Sequence, residues 1–330
     1  MGHWVLAPFG RTARPGFVVG MSDQPSDQDV PEHRIRELED HLTPSSEWNI
    51  DSSLIALAQW MADYYIAPLG VCFQWIQPPR LPYTTASRLR LTPLGQQALA
   101  RGRLSELPRT ILDTLRPKPK GLTLATLKKL VPTAPTVVTQ LKRKKWVEEL
   151  HVYHMHSTLQ GLNTSSKENA TAKNHTLFLQ DLDSISYPSW WKDFQHSLKQ
   201  RSFNEYFIDE IGEDFSALLV QSIRETLDQK RTALIIVPDM AQAAYWAQFL
   251  SANLNETVGL FHSGLAESGR MKEWLAINLG RYQIVVGTRM AVFAPVPSLG
   301  LLVLCHEDDD SYKEEQSPYY HARDVARERA

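Results

Sequence analysis

Cysteine is nearly missing from this chain: Cys72 and Cys305 are the only two in 330 residues. Two thiols are too few for a disulfide framework or for a zinc site built from four thiolates. Long apolar runs are missing too, since no window approaches the ~18 consecutive apolar residues of a membrane-spanning helix. The start, MGHWVLAPFG, lacks the basic stretch and cleavage region of a secretory signal, so a cytoplasmic location without a membrane partner is expected. Without export, the Asn-X-Ser/Thr matches at Asn163, Asn169 and Asn174 carry no sugar.

What is present is an ordinary globular composition, 43% apolar, over a length that predicts two or three domains. The formal charge of −2 hides an internal asymmetry. Between Arg101 and Lys145 stand twelve Lys or Arg against Glu106 and Asp113 alone, whereas Glu205 to Asp214 carries five acids and no base. A basic block of that density points to a polyanionic partner.

His3 to Met21 reads as a β-hairpin turning through Arg14-Pro15-Gly16, followed by a linker from Ser22 to Pro31 and a short charged helix from Glu32. A helix capped by Asp51 or Ser52 follows, with Leu54, Leu57, Ala58, Met61 and Tyr65 on one stripe, until Pro68-Leu69-Gly70 ends it. Residues 80–102 read as a connector with little periodicity. Helices are then predicted over Leu107–Leu115, Leu124–Leu130 and Thr136–Lys145, with a strand pair from Trp146 to Tyr153. Three helices and a β-wing is the winged-helix order, a DNA-binding arrangement. Lys128, Lys129, Lys142, Arg143, Lys144 and Lys145 gather on it, with Lys118 and Lys120 in front. They suit phosphate contacts, salt-sensitive and with little sequence preference; a solvated helix end is the other reading of such a run.

Residues 160–175 are polar and read as a linker. Beyond Pro188, helices over Leu218–Leu227 and Gln242–Leu254 alternate with strands over Ala233–Val237, Val258–Phe261, Ile284–Val286 and Leu301–Leu304, which predicts a parallel sheet with helices on both faces.

The wording of Val286-Gly287-Thr288-Arg289, Val292-Phe293-Ala294-Pro295, Ser311-Tyr312-Lys313 and Tyr320-His321-Ala322-Arg323-Asp324 resembles the first motor lobe of the primosomal protein N′ (PriA) family of replication-restart helicases. The front does so as well, through Pro8-Phe9-Gly10, Gly16-Phe17-Val18, Arg34 and Trp60-Met61-Ala62-Asp63-Tyr64-Tyr65 with Pro68-Leu69-Gly70, which resemble that family's 3′-DNA-end-binding domain. The resemblance implies that Gly10 and Arg34 help to hold a terminal nucleotide, in a pocket expected to lack the family's first strand. It implies a multi-domain α/β chain: a β-rich 3′-DNA-binding-like domain with connector over 1–100, a winged helix over 101–158, a linker over 159–190 and one RecA-like doubly wound lobe over 191–330. The second motor lobe and zinc insertion of the family are expected to be absent.

A motor of this kind needs a glycine-rich phosphate loop ending in Lys and Ser/Thr, with acids at the end of a second strand. Counting back from Leu234 to Pro238, which resembles the family's LVPE strand, sets that loop at Asp209 to Ser216, DEIGEDFS. Only Gly212 and Ser216 agree with it. Asp209 and Asp214 replace glycines, and Phe215 stands where the Lys belongs. At an effective dielectric of 20, one opposed charge ~4 Å away is worth roughly 4 kcal/mol, so losing the Lys and gaining Glu213 and Asp214 turns several such terms against a triphosphate. At the second strand's end, the family's D-E-E-H-D aligns with Cys305-His306-Glu307-Asp308-Asp309. A thiol is a poor magnesium ligand, and only Glu307 and Asp309 remain as acids in register.

No catalytic residue, metal or cofactor is therefore expected; ATP and magnesium belong to the family. Thr288 and Arg289 resemble a motif that touches single-stranded DNA. The first expectation is a DNA-binding replication-restart protein, at the bacterial nucleoid, that reads forked or 3′-ended DNA without unwinding it. By resemblance its partners are primosome and single-stranded-DNA-binding proteins. The alternatives are an ATP-dependent 3′-to-5′ DNA helicase, as in the family, and a protein-binding scaffold.

Overall fold

The computed structural model describes residues 1–9, 12–22, 35–38, 40–42, 48–79, 83–102, 104–155, 187–208 and 215–330. Gly10, Arg34, Gly212 and most of the expected 159–190 linker lie outside the described residues.

At the front, β1 (Trp4–Phe9) pairs antiparallel with β2 (Thr12–Phe17) on one side and β3 (Asp40–His41) on the other. The register corrects the expected turn: Phe9 opposes Thr12, and Arg14, Pro15 and Gly16 lie inside β2 opposite Ala7, Leu6 and Val5. Proline fits there because β2 is an edge strand in the order β2-β1-β3. The expected helix from Glu32 is not continued by residues 35–38, which have no helical structure. Ile35 and Leu38 are both exposed, so that stretch has no apolar face to bury, and short helices need one. Helix α1 (Ser52–Tyr64) follows, capped by the Asp51 carboxylate, which accepts the Ser53 N–H at 2.8 Å. Leu54, Leu57, Ala58 and Met61 form its buried stripe. It stops before Ile66, at φ 50°, and Pro68 opens a second helix, α2 (Leu69–Ile76), instead of only closing the first.

The middle unit differs most from expectation. The supposed connector holds β4 (Tyr83–Leu91) and α3 (Pro93–Ala100). Next come α4 (Glu106–Leu115), β5 (Leu122–Thr123), α5 (Leu124–Leu130), α6 (Ala134–Arg143) and β6 (Val147–Met155). β4 pairs with β6 along its whole length, from Tyr83 opposite Met155 to Leu91 opposite Val147, so 146–153 is one strand of a distant pair and not a local hairpin. The sheet order is β5-β4-β6. Leu89, Leu91 and Val147 close a separate core with Ile111, Leu112, Leu115, Leu127, Val138 and Leu141. Gly95 lets α3 approach β6: a Cβ there would lie 2.2 Å from the Trp146 carbonyl oxygen.

The rear unit runs α7 (Trp191–Gln200), α8 (Phe215–Asp228), β7 (Thr232–Ile236), α9 (Met240–Leu254), β8 (Val258–Phe261), α10 (Glu267–Asn278), β9 (Ile284–Gly287), β10 (Leu299–Leu304) and α11 (Ala322–Arg329). Its four strands are parallel in the order β10-β7-β9-β8, flanked by helices, as in a RecA-like lobe. β7 and β9 are buried throughout, which is why both read as unbroken apolar runs. Gly287 is forced by a close approach, since a Cβ would lie 2.0 Å from the Phe261 carbonyl oxygen.

Front and rear share one core. Trp4, Leu54, Met61, Phe73 and Ile76 cluster with Leu234, Phe261, Trp274, Phe293, Tyr312, Tyr320 and Val325. Trp75 of α2 meets Phe293 and Tyr320 with ring centroids 5.8 and 5.0 Å away. Among the described residues no helix is long and apolar enough to cross a membrane.

Candidate nucleic-acid interface and the strand-end site

The positively charged side chains of the middle unit fall into two groups. Lys142 is ion-paired with Glu149 of β6, and Lys144 lies over the Trp146 ring at 4.6 Å. Lys128 and Lys129 in the last turn of α5, with Arg143 and Lys145 at the end of α6, are exposed; so are Lys118 and Lys120 before β5. Cations at helix C-termini are favoured by the helix dipole. The second group leaves its charges facing solvent, where phosphate can reach them.

Thr288 and Arg289 follow β9 at the entrance to a 3-10 turn, Arg289–Phe293. Thr288 is half-buried, and its carbonyl accepts the Ala291 N–H at 2.6 Å. Arg289 is engaged by the fold. Its guanidinium pairs with Glu314 at 2.9 Å and donates to the Ser311 carbonyl at 3.0 Å and to the Lys313 carbonyl. Glu314 is only 8% exposed, so this pair holds a buried carboxylate. The sequence gives no signal of that partner, which lies 25 positions further on.

Of the positions expected at a nucleotide site, Ser216 lies in the first turn of α8, and Phe215 packs edge-on against Trp246 with ring centroids 6.1 Å apart. Phe215, which the resemblance sets where the family has its phosphate-binding Lys, is thus engaged in an aromatic contact. At the end of β10 the Cys305 thiol is buried, and burial pushes its pKa up to about 12, so it stays a neutral thiol. His306 is exposed at φ 52°. Glu307 pairs with Arg323 at 2.8 Å. Asp309 accepts the Ser311 N–H at 2.8 Å, and the hydrogen bonds from Ser311 lower its pKa. Its carboxylate acts as a turn cap. The neighbouring Tyr312 hydroxyl donates to the Cys305 carbonyl at 2.5 Å and contacts the Ile236 carbonyl at 3.2 Å, which ties the ends of β10 and β7 together. No group of three or more His, Cys, Asp or Glu side chains among the described residues is arranged to hold a metal ion.

Sequence reasoning did not find the junction between α1 and α11. The Tyr65 hydroxyl donates to Asp324 and accepts the His321 N–H. Arg323, next along, bridges Glu307 and Asp324. The front unit is thereby linked to the loop that follows β10.

Comparison with known proteins agrees with this arrangement. Residues 1–78 match the 3′DNA-binding domain (3′BD) of PriA. Replication restart protein PriA of Haemophilus influenzae is 27% identical over 347 residues, covering 99% of this chain and 43% of that protein. The Synechocystis protein of that name is 27% identical over 82% of this chain and 30% of its own length. The Helicobacter pylori one is 37% identical over 34% of this chain and 18% of its own length. The chain thus spans less than half the length of these relatives. By that relationship it is a PriA-related protein that carries the family's 3′DNA-binding domain at residues 1–78.

Proposed function

We propose that this protein binds forked or 3′-ended DNA in replication restart without unwinding it. The observation that carries the DNA reading is the match of residues 1–78 to a 3′DNA-binding domain, on a front unit that shares its core with the rear lobe. The middle unit supports it as a winged helix whose exposed Lys118, Lys120, Lys128, Lys129, Arg143 and Lys145 neutralise duplex phosphates beside the bound end. Gly10 and Arg34 hold the terminal nucleotide in this reading, and Thr288 contacts the single strand. Arg289, engaged by Glu314, serves the fold. Primosome and single-stranded-DNA-binding proteins are the expected partners.

Motor activity is disfavoured because Phe215 packs on Trp246 where a phosphate-binding cation is needed, and Cys305 is a buried neutral thiol where a magnesium ligand is needed. Fluorescence anisotropy with forked, 3′-ended and blunt DNA tests the proposal. Forked and 3′-ended DNA should bind more tightly than blunt duplex, with steep salt dependence and no change on adding ATP. Equal affinity for all three, or DNA-stimulated phosphate release, would refute it.

A further inference from the structure

Residues 203–208 cross the outer side of β10 without forming helix or strand. They leave the end of α7 at Arg201, whose φ of 54° is left-handed, and are fixed at their middle. On one face of the sheet the Tyr206 ring packs on Trp190 and Phe194 with centroids 5.0 and 6.1 Å away, and Asn204 donates to the Ser197 hydroxyl. On the other face Glu205 pairs with Arg327 of α11 at 2.5 Å. A segment tied down in this way has anchors enough to bury its large apolar side chains, yet Phe203 and Phe207 are 55% and 71% exposed. Single exposed apolar residues are common, so exposure alone decides nothing. The charge beside these two rings does.

Arg201 and Arg231 line the same cavity, of about 810 Å³, as Phe203 and Phe207. Arg231 donates to the Leu299 carbonyl, and its pKa is lowered by burial and then by the nearby charge of Arg201. Among the described residues no acidic partner within 4.0 Å is found for either. Two guanidiniums close enough to repel, one exposed and one half-buried, thus stand without a counter-charge. The acidic side chains on the cavity wall are engaged or distant: Glu205 and Glu307 are met by Arg327 and Arg323, and Asp308 is exposed beyond the far end of β10.

We propose that single-stranded nucleic acid binds here, with a phosphate between Arg201 and Arg231 and bases stacked on Phe203 and Phe207. Cations that take the backbone beside aromatic rings that take the bases are the two parts of a sequence-tolerant single-strand site, because every base has a face to stack. A duplex has no free base faces to offer. Four residues of extended chain span at most ~14 Å, room for the two rings to take separate bases. Asp308 repels phosphate at the far end, which keeps the backbone on the arginine side. An acidic peptide would satisfy the arginines but leave both rings without a stacking partner. None of these residues belongs to 1–78 or to the middle unit, so the site gives a single strand a hold that needs no 3′ end.

Anisotropy of the whole chain with a circular dT oligonucleotide of about 16 nucleotides, which has no 3′ end, tests this. The circle should bind. Phe203→Ala and Phe207→Ala, both at exposed positions, should each weaken it about tenfold with Tm unchanged, the worth of one base stacked on an aromatic ring, and Phe207→Tyr should retain binding. Arg201→Gln should lower the slope of log affinity against log salt by about 0.7, the share of one single-strand phosphate. Lys128→Glu with Lys129→Glu should spare the circle while weakening forked DNA. A protein that passed these tests without preferring 3′ ends would sink the 3′-end function and support this site. No binding of the circle, indifference to both alanine variants, loss of the circle with the two lysines, or displacement by an acidic peptide as readily as by dT would overturn the proposal. Arg201→Gln and Phe207→Tyr carry the test even if an alanine variant misfolds.

Discussion

The Tyr65 hydroxyl donates to the Asp324 carboxylate at 3.3 Å, across 259 positions of sequence, and accepts the His321 backbone N–H at 3.2 Å. This one phenol connects the end of α1 to the start of α11. At the other ends of the same two helices, burial lowers the Arg329 pKa to about 10, and the Asp51 carboxylate at the head of α1 partly offsets that lowering. Tyr65→Phe removes the hydrogen bonds and leaves the ring. The expected loss is about 1 kcal/mol, the net worth of a hydrogen bond in a folded protein. It should appear as a lower urea midpoint with an unchanged slope, and the front and rear units should still unfold in one transition because their core is shared.

Alkaline pH should attack the same junction. Burial, its largest cause, raises the Tyr65 pKa to about 12 and raises those of Tyr312 and Tyr320 further. Each ordinarily titrates at 10.0. Above about pH 10 the unfolded chain releases phenolic protons that the folded chain retains, so stability is fully present below that pH and falls as pH rises. Urea midpoints measured at about pH 9 and about pH 11 should differ, and Tyr65→Phe should reduce the difference.

Arg289 separates a structural role from a DNA-binding one. Its guanidinium holds a carboxylate that is 8% exposed, and Arg289→Ala leaves that charge without its partner. Breaking such a pair costs ~3 kcal/mol or more when fully buried; Arg289 is 31% exposed, so about 2 kcal/mol is the expected loss. DNA affinity measured below the variant's melting temperature should change less than twofold. A large loss of affinity with full stability would instead make Arg289 a DNA contact.

Lys128, Lys129, Arg143 and Lys145 should act through salt. Replacing Lys128 and Lys129 with Glu should weaken binding to forked DNA uniformly across sequences. For every phosphate that is no longer neutralised, the slope of log affinity against log salt should fall by about 1. Lys142, occupied by Glu149, should matter less to affinity when changed to Gln than Arg143 does.

Much of the rear sheet could be read from sequence because β7 and β9 are buried on both faces, and burial imposes unbroken apolar runs. The stripe of α1 could be read for a similar reason: one face is buried and the period shows it. β4 was hidden although Arg88-Leu89-Arg90-Leu91 alternates, because its partner β6 begins 56 positions later and the residues before Arg88 are mostly polar. Pro15 and Gly16 signalled a turn where an edge strand simply tolerates them. At positions 215 and 305, residue type alone carried the expectation that Phe and Cys stand where the family has a Lys and an Asp. The engagement of Glu307 by Arg323 and of Arg289 by Glu314 could not be read, since both depend on segments that only the fold brings together.

Nucleotide should leave the protein indifferent. A ligand that binds only the folded state adds about 2.7 kcal/mol at a hundred times its Kd, which is easily seen as a rise in Tm. ATP with magnesium at millimolar concentration should give no such rise, because Phe215 offers the triphosphate an aromatic ring packed on Trp246 and Cys305 offers the metal a neutral, buried thiol. Restoring one half should not suffice. Phe215→Lys gives up the ring contact, worth about 1 kcal/mol, and places a cation among Glu210, Glu213 and Asp214 in sequence, whose charges oppose a triphosphate. Cys305→Asp buries a carboxylate beside the Tyr312 hydroxyl and should lower Tm without creating a magnesium site. Calorimetric titration of the unmodified chain, Phe215→Lys and Cys305→Asp should therefore show no heat of ATP binding in any of the three, and saturable heat in the unmodified chain would mean that the nucleotide site is intact.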